Sequence, residues 1–179
     1  MIEVSREPFR TERLMLRPVA VADAAAIWPV LGDPALYQWI ARKPPASSAE
    51  IEDRFARISR RTADGRADQW LNWTVWLRES GDAVGIVETT VPPNAPASIA
   101  YLFGRAFWGR GYASEALVAV IARLENAGVV AFEATIDTRN VQSRALASRL
   151  GFTLVQTRPS EDVIGGAPSM EEIWRRARD

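Results

Sequence analysis

Residues 11–19 alternate, with Leu14 and Leu16 on one side and Arg13 and Arg17 on the other, the period of a half-buried strand. Asp23 then precedes an alanine-rich helix that Pro29 should bend or end. Residues 33–49, with Pro34, Pro44 and Pro45, read as a loop with one helical turn, and Ser47 or Ser48 caps a helix from about 49 to 62, ending near Gly65. Trp70–Leu77 and Ala83–Val91 are apolar runs around Ser80-Gly81-Asp82, a hairpin signal, and a third strand covers Ser98–Phe103. After Gly109 the period becomes helical: Ala113, Leu117, Val120, Ile121 and Leu124 share one face, closed by Gly128. A strand over 130–137, a helix capped by Asn140 and ended by Gly151, a strand over 152–157, a loop holding Gly165-Gly166 and Pro168, and a strand over 170–177 complete the order. This mixed α/β succession lacks the strict strand–helix alternation of a doubly wound fold.

Length and composition keep that order within one domain, 1–179. The chain has 179 residues, 47% hydrophobic and 25% charged, enough to bury a core. Its formal net charge is zero, with no long single-sign block, so neither nucleic acid nor an anionic membrane is expected as partner. No apolar run approaches a membrane span, and the N-terminal residues lack a signal peptide's basic start and apolar stretch, which reads as cytoplasmic.

Two absences narrow the chemistry. The chain has no histidine and no cysteine. Disulfides, zinc sites with those ligands, serine–histidine triads and thiol nucleophiles are therefore excluded. Lys43 is the only lysine, beside Pro44-Pro45, a poor place for a desolvated amine. Proton transfer is left to carboxylates, hydroxyls, water or the substrate itself, and no metal is expected.

The sharpest local signal is Trp108-Gly109-Arg110-Gly111-Tyr112-Ala113 between a strand and a helix. Glycines allow positive φ and close approach, the helix start offers free N–H groups, and Arg110 adds a charge suited to phosphate. Alone, this is equally a connecting turn. No Gly-Lys-Ser/Thr follows, so it is not a P-loop. A dinucleotide fingerprint is also disfavoured, because Arg105–Trp108 separate the turn from its strand and too little chain follows Asp137 for the rest of that sheet.

Ile99-Ala-Tyr-Leu-Phe, a spacer, and Phe107-Trp-Gly-Arg-Gly-Tyr-Ala-Ser-Glu-Ala-Leu together resemble the coenzyme A motif of GNAT acetyltransferases. Thr11-Glu-Arg-Leu-Met-Leu-Arg and Asn140-Val-Gln-Ser143 with Leu150-Gly-Phe narrow the resemblance to the branch of ribosomal-protein N-terminal acetyltransferases. The resemblance implies an α/β fold: a mixed, mostly antiparallel sheet of six or seven strands, splayed between the fourth and fifth and flanked by about four helices. It implies transfer of an acetyl group from acetyl-CoA to a primary amine by direct attack, in a monomer or homodimer. Gly109, Arg110, Gly111, Tyr112 and Ala113 would hold the pyrophosphate. Backbone at Leu102 and Phe103, at a strand bulge, would pair with the pantetheine arm. Asn140 would bind that arm, and Ser143 would lie near the sulfur. One departure stands out. Many relatives follow the leucine of the second signature with a proton-donating tyrosine, and here Leu146 precedes Ala147.

The remaining inventory suffices for aminolysis of a thioester. A thiol pKa of about 8.5 makes thiolate a fair leaving group, and a peptide amine near about 8 is partly neutral at neutral pH. Positioning of the two reactants supplies most of the acceleration. Ser143 is the candidate donor to sulfur, equally readable as a residue of a capped first turn. Glu88 is the candidate base, equally readable as a solvated strand carboxylate. Asp137 is a second option, better suited to shaping the turn before Asn140, and Tyr101 reads as core. Trp39, Trp70, Trp73 and Trp76 offer rings for an apolar acceptor, with core packing the plainer account for most. Gly165-Gly166 suggests a mobile edge to the cleft. Few acids fall in the stretches expected to form the cleft, which favours an acceptor of low positive charge. Two other functions remain open: a non-catalytic acyl-CoA sensor on the same scaffold and a nicotinamide-dependent dehydrogenase.

Overall fold

The computed structural model describes residues 2–5, 7–60, 67–164 and 166–178. Gly65, expected near the end of the second helix, lies outside them. Eight strands are present: β1 (Phe9–Arg10), β2 (Leu14–Pro18), β3 (Gln69–Leu77), β4 (Ala83–Val91), β5 (Ala97–Phe103), β6 (Ala131–Asp137), β7 (Thr153–Ile164) and β8 (Ala167–Ala177). Four α-helices accompany them: α1 (Ala24–Leu31), α2 (Ser48–Ile58), α3 (Tyr112–Asn126) and α4 (Val141–Arg149). A single sheet runs in the order β1-β2-β3-β4-β5-β6-β8-β7. Every pairing is antiparallel except β5–β6, whose parallel contact needs the long crossover that α3 supplies.

Alternating side chains divide two cores between the sheet's faces. Val75 and Val87 join Leu14 and Leu16 under α3 and α4, while their neighbours Trp76 and Ile86 pack beneath α1 and α2. Helix α3 docks through Ala116, Leu117, Val120, Ile121 and Leu124, all buried, matching the helical period. Ser47 caps α2 by accepting from the Glu50 amide, and Glu50 reaches back to the Ala46 amide.

Two regions differ from expectation. The eighth strand is β1, two residues long after Pro8 and too short to show a period. The expected loop before the last strand is instead hairpin, because β7 continues to Ile164 and β8 begins at Ala167. Register shifts between Leu154 and Gln156 and between Pro159 and Val163 accompany Pro159 in the edge strand β7, while Pro168, which suggested the loop, lies in β8 before the stretch that pairs with β6. The splay falls where expected, between β5 and β6 once β1 is counted. Their pairing consists of Ala97 with Phe132 and Ser98 with Glu133, and beyond it the strands diverge.

Candidate active site

Divergence of β5 and β6 opens a cleft of about 1020 Å³. Ile99 to Phe103 form one wall and Ala134 to Asp137 the other. The first turn of α4 and the turn Gly109–Gly111 lie at its sides, and residues Ala35 to Ile40 reach over its mouth.

Backbone polarity of the β5 wall follows from its pairing. The Gly104 amide donates to Val84 O at 3.0 Å, and a Cβ placed on Gly85 would lie 2.5 Å from Leu102 O. Leu102 therefore turns its backbone toward β4, and alternation turns that of Ile99, Tyr101 and Phe103 into the gap. Leu102 is still among the residues that line the cleft, and it packs against the core beneath α1 and α2. Phe103 O is occupied, accepting from the Trp108 indole at 2.5 Å. The expected bulge at Leu102–Phe103 is absent: β5 pairs with β4 without a shift from Ser98 to Phe103, and the irregularity lies between Val75 and Trp76 of β3.

The glycine turn has the conformation that its sequence suggested. Gly109 and Gly111 have φ of 73° and 79°, positions that other residues occupy at a cost, and α3 starts immediately after. Gly109, Gly111 and Ala113 line the cleft, whereas Arg110 and Tyr112 do not. Arg13 fixes the turn from behind: it donates to Arg110 O at 2.9 Å and stacks over the Tyr112 ring. Glu115, in the first turn of α3, accepts from Thr11 Oγ1, from the Arg13 amide and from Arg13 Nε at 2.5, 2.8 and 2.7 Å. Burial opposes its charge, but these donors outweigh that effect and lower its pKa. The Thr11-Glu-Arg motif is thus the clamp that locks β2 to the start of α3, a role its alternation alone did not reveal.

Across the cleft, Asn140 caps α4. Its Oδ1 accepts from the Ser143 amide at 3.1 Å, and its Nδ2 has no partner among the described residues. Ser143 faces the cleft from that first turn, and Tyr101 reaches it from β5, phenol to hydroxyl at 2.9 Å.

The family model for the acetyltransferase (GNAT) domain matches residues 13–153. The chain belongs to the GNAT acetyltransferase family. It transfers an acetyl group from acetyl-CoA to an amine. An uncharacterized N-acetyltransferase p20 of Bacillus licheniformis is 26% identical over 149 residues, 82% of each chain. The fold is that of the acetyltransferase from Salmonella typhimurium that modifies the N-terminal serine of a 50S ribosomal subunit protein, with a TM-score of 0.83 at 20% identity, over 97% of this chain and 100% of that one. A ribosomal α-N-protein acetyltransferase in complex with coenzyme A superposes with a TM-score of 0.85 at 21% identity, covering 97% and 99%.

Among the described residues, charge in this acetyltransferase's cleft is confined to Asp137, Arg139 and Arg149. Asp137 is buried and bound on all sides. It accepts from the Arg139 amide at 2.8 Å, from the Arg139 guanidinium at 2.9 and 2.7 Å, and from Ser169 Oγ at 2.5 Å. The Arg139 hydrogen bonds, with Ser169 adding to them against the cost of burial, hold its carboxyl well below the usual carboxylate range. Arg139 also lies over the Trp39 ring at 5.0 Å, bridging the cleft's two sides at the mouth. Asp137 thus shapes the turn before Asn140, whose amide donates to Asp137 O at 2.9 Å.

Glu88 does not reach the cleft. It forms an ion pair with Arg54 of α2 and lies 3.9 Å from Arg42, on the α1–α2 face of the sheet. Its cross-strand neighbour Ala100 is the residue that lines the wall. Two guanidiniums flank this carboxylate, away from the residues that line the cleft. Of the four tryptophans, Trp39 lines the cleft and Trp73 and Trp76 are buried in the cores. Among the described residues the β7–β8 hairpin contributes nothing to the cleft, and Gly165 lies outside them.

Proposed function

We propose that this single-domain acetyltransferase binds acetyl-CoA along the cleft and acetylates one primary amine of low positive charge by direct attack in a ternary complex. The observation that carries the proposal is the convergence on one cleft of the glycine turn at the start of α3, the gap-facing backbone of β5, Asn140 Nδ2 and Ser143. Amides of residues 109–113, at the positive end of α3, suit the pyrophosphate. Arg110 points its carbonyl at Arg13 and adds charge near that end. The free N–H of Tyr101 and Phe103 and the amide of Asn140 suit the pantetheine arm. The neutral amine attacks the thioester carbonyl, the carbon–sulfur bond breaks, and Ser143 donates to the departing sulfur. The proton that the amine loses makes up the one that the serine gives.

Charge supports the acceptor class. Among the described residues the cleft's one acid, Asp137, is held by Arg139 and Ser169, and its other charges are arginines. A polyamine or aminoglycoside finds no carboxylates there to offset its charge. A peptide N-terminus fits, as does an aromatic amine against Trp39. The neutral net charge, with no long single-sign block, argues against nucleic acid or an anionic membrane as partner, and among the described residues no helix is long and apolar enough to cross a membrane.

Incubation with acetyl-CoA and a panel of N-terminal peptides, aromatic amines, spermidine and an aminoglycoside tests the acceptor. Free thiol should appear fastest with the singly charged amines. Fastest release with the polycations overturns the class, and no release with any amine favours the non-catalytic acyl-CoA sensor. Ser143→Ala should lower kcat by about 10²-fold with little change in acetyl-CoA affinity, the usual scale for losing general-acid help. An unchanged kcat returns Ser143 to a plain helix position.

A further inference from the structure

The tyrosine that many relatives carry on the helix after the second signature is replaced here by Ala147, yet a phenol reaches Ser143, one turn earlier on α4, from another element. Tyr101 projects from β5 and meets Ser143 Oγ at 2.9 Å, though 42 residues separate them. Both side chains line the cleft. The Tyr101 ring packs edge-on to Phe103 and against the core under α3 and α4, which fixes the phenol's direction.

Hydrogen-bond accounting assigns the direction of the bond. Ser143 Oγ is the one partner of the Tyr101 hydroxyl among the described residues. A largely buried phenol hydrogen without an acceptor is costly, so the phenol donates and the serine oxygen accepts. Burial raises the Tyr101 pKa, against the smaller lowering effects of the Ser143 hydrogen bond and Arg149, so the phenol keeps its proton at neutral pH. Ser143 is therefore left with its own hydrogen unused, since its hydroxyl donates to no described residue. The oxygen is polarised from behind and its hydrogen is directed into the open cleft.

Resting on the reading of Ser143 as donor to the sulfur, we infer that Tyr101 is the positioning residue that aims and polarises the Ser143 hydroxyl. It does from the sheet, through one intervening oxygen, what a helix tyrosine does directly in relatives. No proton leaves the phenol in this scheme. Serine donates to sulfur while the carbon–sulfur bond breaks, and the amine's proton restores the serine.

Tyr101→Phe removes one oxygen and leaves the ring's packing in place, which a thermal melt of the variant checks. We expect kcat to fall about tenfold, the scale of one lost hydrogen bond in the transition state, with KM for acetyl-CoA unchanged. The deciding arm is the double variant. Because Tyr101 acts only through Ser143, Tyr101→Phe in the Ser143→Ala background should cost nothing further, a non-additivity that a packing role would not produce. Additive losses, an unchanged kcat in Tyr101→Phe, or a loss confined to KM for acetyl-CoA overturns the inference. The two failures are separable: an unaffected Ser143→Ala removes the donor reading itself, whereas an affected Ser143→Ala beside an unaffected Tyr101→Phe removes only the role of the tyrosine.

Discussion

Gly109→Asp should weaken acetyl-CoA binding by about 10²-fold. Nothing lies within 4 Å of a Cβ built on Gly109, so the new side chain has room and enters the side of the cleft assigned to the phosphates. A carboxylate about 5 Å from a phosphate is repelled by roughly 3 kcal/mol at an effective dielectric constant of about 20. Partial exposure trims that figure, and the remainder corresponds to about two decades in affinity. Backbone strain is the competing explanation, because φ is 73° at this position. Gly109→Asn carries nearly the same strain, about 1 kcal/mol, without the charge. Titration calorimetry with acetyl-CoA should therefore show a large loss for aspartate, a small one for asparagine, and a gap between them that shrinks as salt is raised. Equal losses in both variants would place the phosphates elsewhere.

The glycine turn was legible because its requirements are local. Positive φ, a helix start and an apolar face behind it are all written within about 20 residues. The sheet was legible where a local pattern sufficed: apolar runs around a hairpin turn for β3 and β4, and alternation for β6. What escaped depends on tertiary approach. Glu88 sits between Val87 and Thr89 on β4, a local pattern that does not say which partner its carboxylate meets, and the docking of α2 brings Arg54 onto it. Tyr101 alternates with Ala100 and Leu102 as core residues do, and its partner belongs to a helix 42 residues away. The hairpin of β7 and β8 was hidden by its prolines: Pro159 lies on the edge strand β7, and Pro168 lies in β8 before the stretch that pairs with β6, so neither interrupts a ladder held on both sides.

Thr11 and Arg13 show how a motif can be recognised before its physical purpose is known. They sit in the turn between β1 and β2, and their polar atoms serve α3 through Glu115. Anchoring the first turn of α3 from the opposite strand keeps the glycine amides in place before any ligand arrives. Preorganisation of this kind lowers the ordering cost of binding. It also divides labour in the turn: Arg13 and Glu115 settle each other's charge, and the N–H groups of the turn remain free for an anion.

Asp137→Asn should lower the melting temperature by about 6–12 °C at neutral pH. The carboxylate side chain is 2% exposed and takes four donors, and asparagine keeps one acceptor while turning an N–H group toward Arg139 or Ser169. Losing a buried, fully bonded carboxylate costs about 3 kcal/mol, and each kcal/mol is worth roughly 2–4 °C in a domain of this size. The pH dependence distinguishes this cause from a packing defect. The folded pKa of Asp137 is depressed below the unfolded value of 3.8, so its contribution is fully present above that value and declines as pH falls toward the folded one. The gap in melting temperature between parent and variant should thus stay constant from about pH 5 to 8 and narrow below about pH 4, by about 1.4 kcal/mol per unit. A gap that persists unchanged into acid would assign the loss to packing around Ser169. The variant should also lose rate if the proposed acceptor route is right, because the Asp137 carboxylate holds Arg139 over Trp39 and so shapes the cleft where the amine is proposed to enter.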